Sequence, residues 1–336
     1  MAASMTSEFA LIDSIARDLR GRKARGVVTG IGDDAAVLRT LRGEDLVVTV
    51  DAMVEGRHFE RAWLSWRELG WRLAAINLSD VAAMGAQPRF ALVSLVVPQR
   101  VPALAVREIE QGAARHLGRY GAAIVGGNLA ATGGPLVCDM TLIGTCRRGS
   151  AWKRRARAGD AIVVAGELGA AAAGALLLSA KPRAAGGRAL VRAMLKPEPR
   201  LDVVAALRGM RAVHGAIDVS DGLSSDLIHM CEAGRVGCDV VGAALPVPRA
   251  VVAFCRARGV AATAWAMDAG EDYALVLSVA PQRAAEVCRR IERAGVRASV
   301  VGRFTRRARD YRLIDGAGRA ARFRPGGWDH FRREAR

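Results

Sequence analysis

An α/β chain of two domains is what the sequence predicts, on three observations. Short β-branched runs alternate with stretches of helical periodicity, which indicates layered strands and helices and argues against a bundle. The 336 residues, 51% of them hydrophobic, are more than one core of ordinary size would hold. A basic stretch, 150–158, separates two such alternations and divides the chain into 1–150 and 151–336.

In chain order, residues 7–19 place Phe9, Ile12, Ile15, Ala16 and Leu19 at helical spacing behind Ser7, a possible N-cap. GIGDD follows at Gly30, where two glycines let the backbone turn so that adjacent carboxylates can serve one site. Residues 46–50 form a β-rich run ending in Asp51. Ser65 and Glu68 have capping-box spacing, and the helix they open runs to Gly85, carrying the interior polar residues Asn77 and Asp80. A strand over 90–97, a helix over 102–120, a strand over 122–125 running into GGNLAATGG, and a strand over 136–145 complete the first domain.

The second domain opens with a strand over 161–165 and an Ala/Gly helix over 168–179, then the extended KPEPR at Lys196. A strand over 214–219 feeds Ser220-Asp221-Gly222 and a helix over 223–231, an arrangement whose free amides and helix dipole suit an anion. Strands over 238–243, 273–279 and 299–304, with intervening helices (one over 282–294), lead to GGWDHF at Gly326.

The net charge is +17, and residues 283–336 hold 16 Arg against 6 acidic side chains. Anionic ligands are reasonable partners, but no aromatic platform interleaves these arginines, so a solvated surface is expected and nucleic acid is not. Six cysteines without a C-x-x-C pair read as small buried hydrophobes in a reducing compartment. With neither a secretory signal nor an apolar run long enough to span a bilayer, a cytoplasmic location away from membranes is expected.

Carboxylates recur near strand ends and in glycine loops: Asp34, Asp51, Asp80, Asp218 and Asp221, the last beside Ser220. Mg²⁺ is bound in this way, through a few carboxylates plus substrate phosphates. There is no GxxxxGK[ST], kinase glycine loop or dinucleotide fingerprint, so a nucleotide enzyme here needs a metal-centred scheme of phosphoryl transfer.

Eight motifs in order resemble the thiamine-monophosphate kinase family, of the aminoimidazole ribonucleotide synthetase-like superfamily. They are GIGDDAAV at Gly30, VTVDAMVEGRHF at Val48, NLSDVAAMGAQP at Asn77, GGNLAATGGP at Gly126, AGD at Ala158, AIDVSDGLSSDL at Ala216, AGEDYALVLSV at Ala269 and the terminal GGWDHF. The resemblance implies the two-domain aminoimidazole ribonucleotide synthetase-like fold: an N-terminal α/β domain with a dimerising sheet, and a C-terminal α/β domain completing the cleft. It implies a homodimer that moves the γ-phosphoryl of ATP onto thiamine monophosphate with several Mg²⁺ ions. Carried over by position, Asp34, Thr49, Asp51, Asp80, Asn128, Asp218 and Asp221 are metal ligands, with Asp51, Asp218 and Asp221 catalytic. Gly127, Asn128, Lys153 and Ser220 contact the nucleotide, and His58, Glu271 and Trp328 the acceptor. Three positions depart from the common pattern: Val50 for Thr, Asn128-Leu129 for Asp-Thr, and Lys153 for Arg, which together put the number of Mg²⁺ ions in question.

Two other relatives are disfavoured. A selenophosphate synthetase would need an N-terminal Cys, and none precedes Cys138; a hydrogenase-maturation relative would end in Cys, and this chain ends in Arg336. A catalytically weakened protein that holds nucleotide or nucleic acid through its basic C-terminal segment is a third reading, separable by a phosphate-transfer assay.

Overall fold

The computed structural model describes residues 27–29, 35–39, 43–180 and 187–327. The helix expected over 7–19, the GIGDD loop with Asp34, and Trp328 lie outside the described residues.

The N-terminal unit is a six-stranded sheet of β1 (Val27–Thr29), β2 (Ala36–Arg39), β3 (Glu44–Val54), β4 (Gln87–Pro98), β5 (Ala123–Thr132) and β6 (Val137–Arg147), ordered β1-β2-β3-β6-β4-β5. Helices α1 (Trp66–Ala83) and α2 (Ala103–Gly118) pack on one face. Burial alternates along β3 and β6, as it must when one face is covered and the pleat turns successive side chains to opposite sides. The capping box at Ser65 and Glu68 forms as its spacing predicts, each side chain meeting the other residue's backbone N–H.

Helix α1 is apolar nearly all round because it is buried nearly all round: its own sheet lies on one side and the C-terminal unit on the other. It crosses α2 through reciprocal glycines. A Cβ on Gly70 would stand 1.8 Å from the Ile109 carbonyl oxygen, and one on Gly112 would stand 2.0 Å from that of Arg67. Gly112→Ala should therefore destabilise the chain by about 1–3 kcal/mol through overpacking, outweighing the roughly 1 kcal/mol that Ala gains in helix propensity. Urea unfolding measures it; an unchanged midpoint would show that the helices separate freely.

The C-terminal unit is a seven-stranded sheet of β7 (Ala161–Ala165), β8 (Val213–Asp218), β9 (Gly237–Val241), β10 (Leu275–Val279), β11 (Ala298–Thr305), β12 (Tyr311–Ile314) and β13 (Ala320–Arg322), ordered β13-β12-β9-β11-β7-β10-β8. Its helices are α3 (Ala170–Ser179), α4 (Arg188–Leu195), α5 (Leu201–Ala206), α6 (Leu223–Gly234), α7 (Arg249–Ala257), α8 (Ala262–Asp268) and α9 (Ala284–Arg293). Strand β7 is buried on both faces: Ala161, Val163 and Ala165 join a core continuous with the N-terminal unit, whereas Ile162 and Val164 join a second core beneath α6.

Three elements differ from expectation. Strand β3 continues to Val54, so Asp51 lies within it, opposite Met140, and not at its end. The glycine-rich GGNLAAT is no loop: it is edge strand β5, parallel to β4, where a Cβ on Gly127 would stand 1.9 Å from the Val93 carbonyl oxygen. Pairing satisfies its backbone groups, and only glycine permits so close an approach. The arginine-rich segment contains β12 and β13, and its charges are organised by two carboxylates with little exposure. Arg303 and Arg307 pair with Asp239, while Arg307, Arg312 and Arg322 pair with Asp310.

Candidate active site

A cavity of about 970 Å³ opens between the two units. Asp51, His58 and Asp80 line it from the N-terminal side, and Asp218, Ser220, Asp221 and Glu271 from the C-terminal side. Seven residues spread over more than 200 positions of sequence thus line one cavity, together with Arg57, Trp63 and Tyr273.

Each is positioned by its element. Asp51 shares the helix-facing side of β3 with Thr49, whose Oγ1 donates to Asp80 Oδ2 at 2.5 Å. One residue before Asp80, Ser79 Oγ donates to Asp218 Oδ2 at 2.6 Å, linking α1 to the last residue of β8. Burial raises Asp218 above the usual carboxylate range, against the opposing pull of the Ser79 hydrogen bond and the Arg154 guanidinium. Ser220 and Asp221 form the turn into α6, with Gly222 at φ 123°. At this helix start Asp226 accepts from Gly222 N–H at 3.1 Å, and the Ser224 and Ser225 hydroxyls accept from Gly326 and Gly327 N–H, both at 3.1 Å. His58 Nδ1 accepts from Val54 N–H at 3.0 Å, which leaves Nε2 as the proton-bearing nitrogen of the neutral ring.

Glu271 and Tyr273 both take left-handed φ values, 64° and 51°, unusual for residues with a Cβ. The surroundings over-determine this turn. Glu271 N–H donates to Ser220 O at 2.7 Å and Tyr273 N–H to Val219 O at 2.9 Å. Between them Asp272 accepts from Gly169 N–H at 2.5 Å and Ala171 N–H at 3.1 Å, capping α3 from a distance. Burial pushes the Asp272 carboxyl up to about 7, those amide bonds opposing it. The sign follows: from about pH 4, where an unfolded Asp titrates, up to about 7 the native chain binds a proton that the unfolded chain does not. Stability from this group therefore falls as pH rises through that window. Asp272→Asn should flatten that part of the stability curve, read from unfolding midpoints at pH 4.5, 6 and 7.5 (about the span of the two pKa values). Parallel curves for the two proteins would refute it.

The structure does not bring every expected residue here. Gly127 and Asn128 line a separate groove of about 760 Å³ between β5 and α2, with Arg107, Glu110 and Gln111. Gly127 shares its cross-strand row with Asp51, three strands away, or about 14 Å at the usual strand spacing. Asn128 sits beside Ser94 on the opposite face, and Val50 is also turned there, 58% exposed. The alternation that points Asp51 inward points these two away, so neither departure falls on the cavity wall. Lys153 is exposed, and its carbonyl oxygen, accepting from Ala216 N–H at 3.0 Å, makes its fold contact.

Sequence reasoning missed Arg72 and Ser79. Both are polar residues on an otherwise apolar helix, the same signal that singled out Asn77 and Asp80. Asn77 instead turns back on its own helix, donating to Leu73 O at 3.0 Å.

Comparison with known proteins agrees with this architecture. The chain matches the AIR synthase related protein N-terminal domain over residues 32–146 and its C-terminal domain over 157–315. It is 37% identical over 277 residues to the thiamine-monophosphate kinase of Rhodopirellula baltica, covering 80% of this chain and 81% of that one. The solved structure of AaThiL complexed with AMPPCP and TMP superposes with a TM-score of 0.82 at 28% identity, covering 98% and 99% of the two chains. That of the Stenotrophomonas maltophilia K279a thiamine-monophosphate kinase gives 0.74 at 32%, covering 94% and 98%. With both family domains matched in order and that likeness along most of its length, the chain belongs to the thiamine-monophosphate kinases of the AIR synthase related family.

Proposed function

We infer that the cavity between the units is where this kinase transfers the terminal phosphoryl of ATP to thiamine monophosphate. The observation that carries the assignment is the gathering of Asp51, Asp80, Asp218 and Asp221, two from each unit, around one cavity. The donor set fits Mg²⁺: it is all hard oxygen. Among the described residues no three His, Cys or carboxylate side chains already form a metal cluster, and Mg²⁺ needs none, since one or two carboxylates, water and phosphate oxygens fill its octahedron. Asp51 and Asp80 on one side, and Asp218 and Asp221 on the other, would hold such ions, with Thr49 fixing Asp80. When bound there, such ions would supply charge neutralisation at the transferring phosphoryl.

The chain's own residues bind and orient. Ser220, at the turn into α6, contacts the nucleotide, and His58 and Glu271 contact the acceptor. Asp34 and Trp328 keep their expected roles on resemblance alone. Gly127, Asn128 and Lys153 are not among the residues lining this cavity. Mass analysis of thiamine monophosphate incubated with the protein, ATP and Mg²⁺ tests the activity, with one added phosphate expected and an unchanged mass refuting it.

The division at residue 150 places one sheet in each domain. A homodimer is supported by the helix-free face of the N-terminal sheet, where Val50, Phe90, Leu92 and Val125 are 58%, 51%, 42% and 59% exposed. A second copy of the chain covers that face. No helix of the described residues is long and apolar enough to cross a membrane. Six free thiols, five of them buried, suit the reducing cytoplasm.

A further inference from the structure

Arg72 lies in the middle of α1 and is 1% exposed, the largest fully buried side chain among the described residues. A guanidinium keeps its charge when buried, so its partners must compensate it. Nη1 donates to the carbonyl oxygen of Met194 and Nη2 to Oε1 of Glu271. Both acceptors belong to the C-terminal unit and both residues line the cavity. The planar fork of Arg suits two acceptors at once, which a single ammonium does not.

At the far end of this contact Glu271 is half free. Its backbone is pinned in the left-handed region by the bond to Ser220 O, and Oε1 is held by Arg72, yet the side chain remains 35% exposed on the cavity wall. The charge of the N-terminal helix thus determines where a C-terminal carboxylate stands. One helical face carries a second link of the same kind, seven residues on, from Ser79 to Asp218.

We propose that Arg72 is a positioning residue for the acceptor: by clamping Glu271 across the junction of the two units, it presents that carboxylate at a fixed place to the cationic ring of thiamine monophosphate. This rests on Glu271 contacting the acceptor.

Four variants test it: R72K, R72M, E271Q and the double R72M/E271Q, each measured for steady-state kinetics in both substrates and for thermal midpoint. R72M and E271Q should each raise KM for thiamine monophosphate about tenfold and leave that for ATP within about twofold. The double variant should be no worse than either single one, because the two residues act as a unit. R72K, keeping the charge with one donor head, should fall between wild type and R72M. An unchanged acceptor KM in E271Q would remove Glu271 from the acceptor site and the proposal with it. A raised KM in E271Q with a normal one in R72M would leave Glu271 in place and overturn Arg72 alone, as would additive effects in the double variant. Should R72M fail to fold, R72K decides: a lowered thermal midpoint with wild-type KM for both substrates makes Arg72 purely structural.

Discussion

Asp221→Ala and Asp51→Ala should each lower turnover by about three orders of magnitude or more, since metal-mediated charge stabilisation is worth several kcal/mol and each 1.4 kcal/mol is tenfold. The two stand on opposite units of the cavity, Asp221 in the turn before α6 and Asp51 on the helix-facing side of β3. Neither is fully buried, so the unfolding midpoint should move by no more than about 1 kcal/mol. Stopped-time assays of phosphoryl transfer beside urea unfolding separate the two effects. Near-normal turnover of either variant at saturating Mg²⁺ would remove that residue from the transfer site.

Gly327→Ala should lower kcat/KM by about ten- to a hundredfold, the scale of a misplacement near 1 Å at a reacting centre. A Cβ there would stand 2.1 Å from the Asp221 carbonyl oxygen and 2.7 Å from Ser225 Oγ. The Ser225 hydroxyl can rotate away, but the Asp221 backbone cannot move without carrying its carboxylate along. Gly316→Ala, whose Cβ meets nothing within 4 Å, is the control. If both variants keep wild-type kinetics, the segment at Gly327 rests on Asp221 without fixing it.

Local chemistry wrote much of the fold into the sequence. The capping box of α1, the alternation of β6 and the β8-turn-α6 sequence around Ser220 all depend on neighbours a few residues apart, which a linear reading detects. Strands β5, β12 and β13 were illegible for the opposite reason. A glycine-rich or arginine-rich segment becomes a strand only when a partner edge satisfies its backbone: β4 and β9, the partners of β5 and β12, lie far away in sequence, and β13 pairs only with β12. The same holds for charge at Asp239, whose partners Arg303 and Arg307 lie 64 and 68 positions away.

The sequence by itself determined that oxygen-rich, carboxylate-bearing segments are available for one site, because residue type dictates what a side chain can bind. Only the tertiary structure decided which carboxylates share it. Asp51 and Asn128 sit in strands three places apart with their side chains on opposite faces of one sheet, so the period-two pleat admits the first to the cavity and turns the second away. Arg72 and Glu271, 199 positions apart, meet because a helix buried on both sides must pair its buried guanidinium with whatever carboxylate the other unit brings to it, and chain order carries no trace of that meeting.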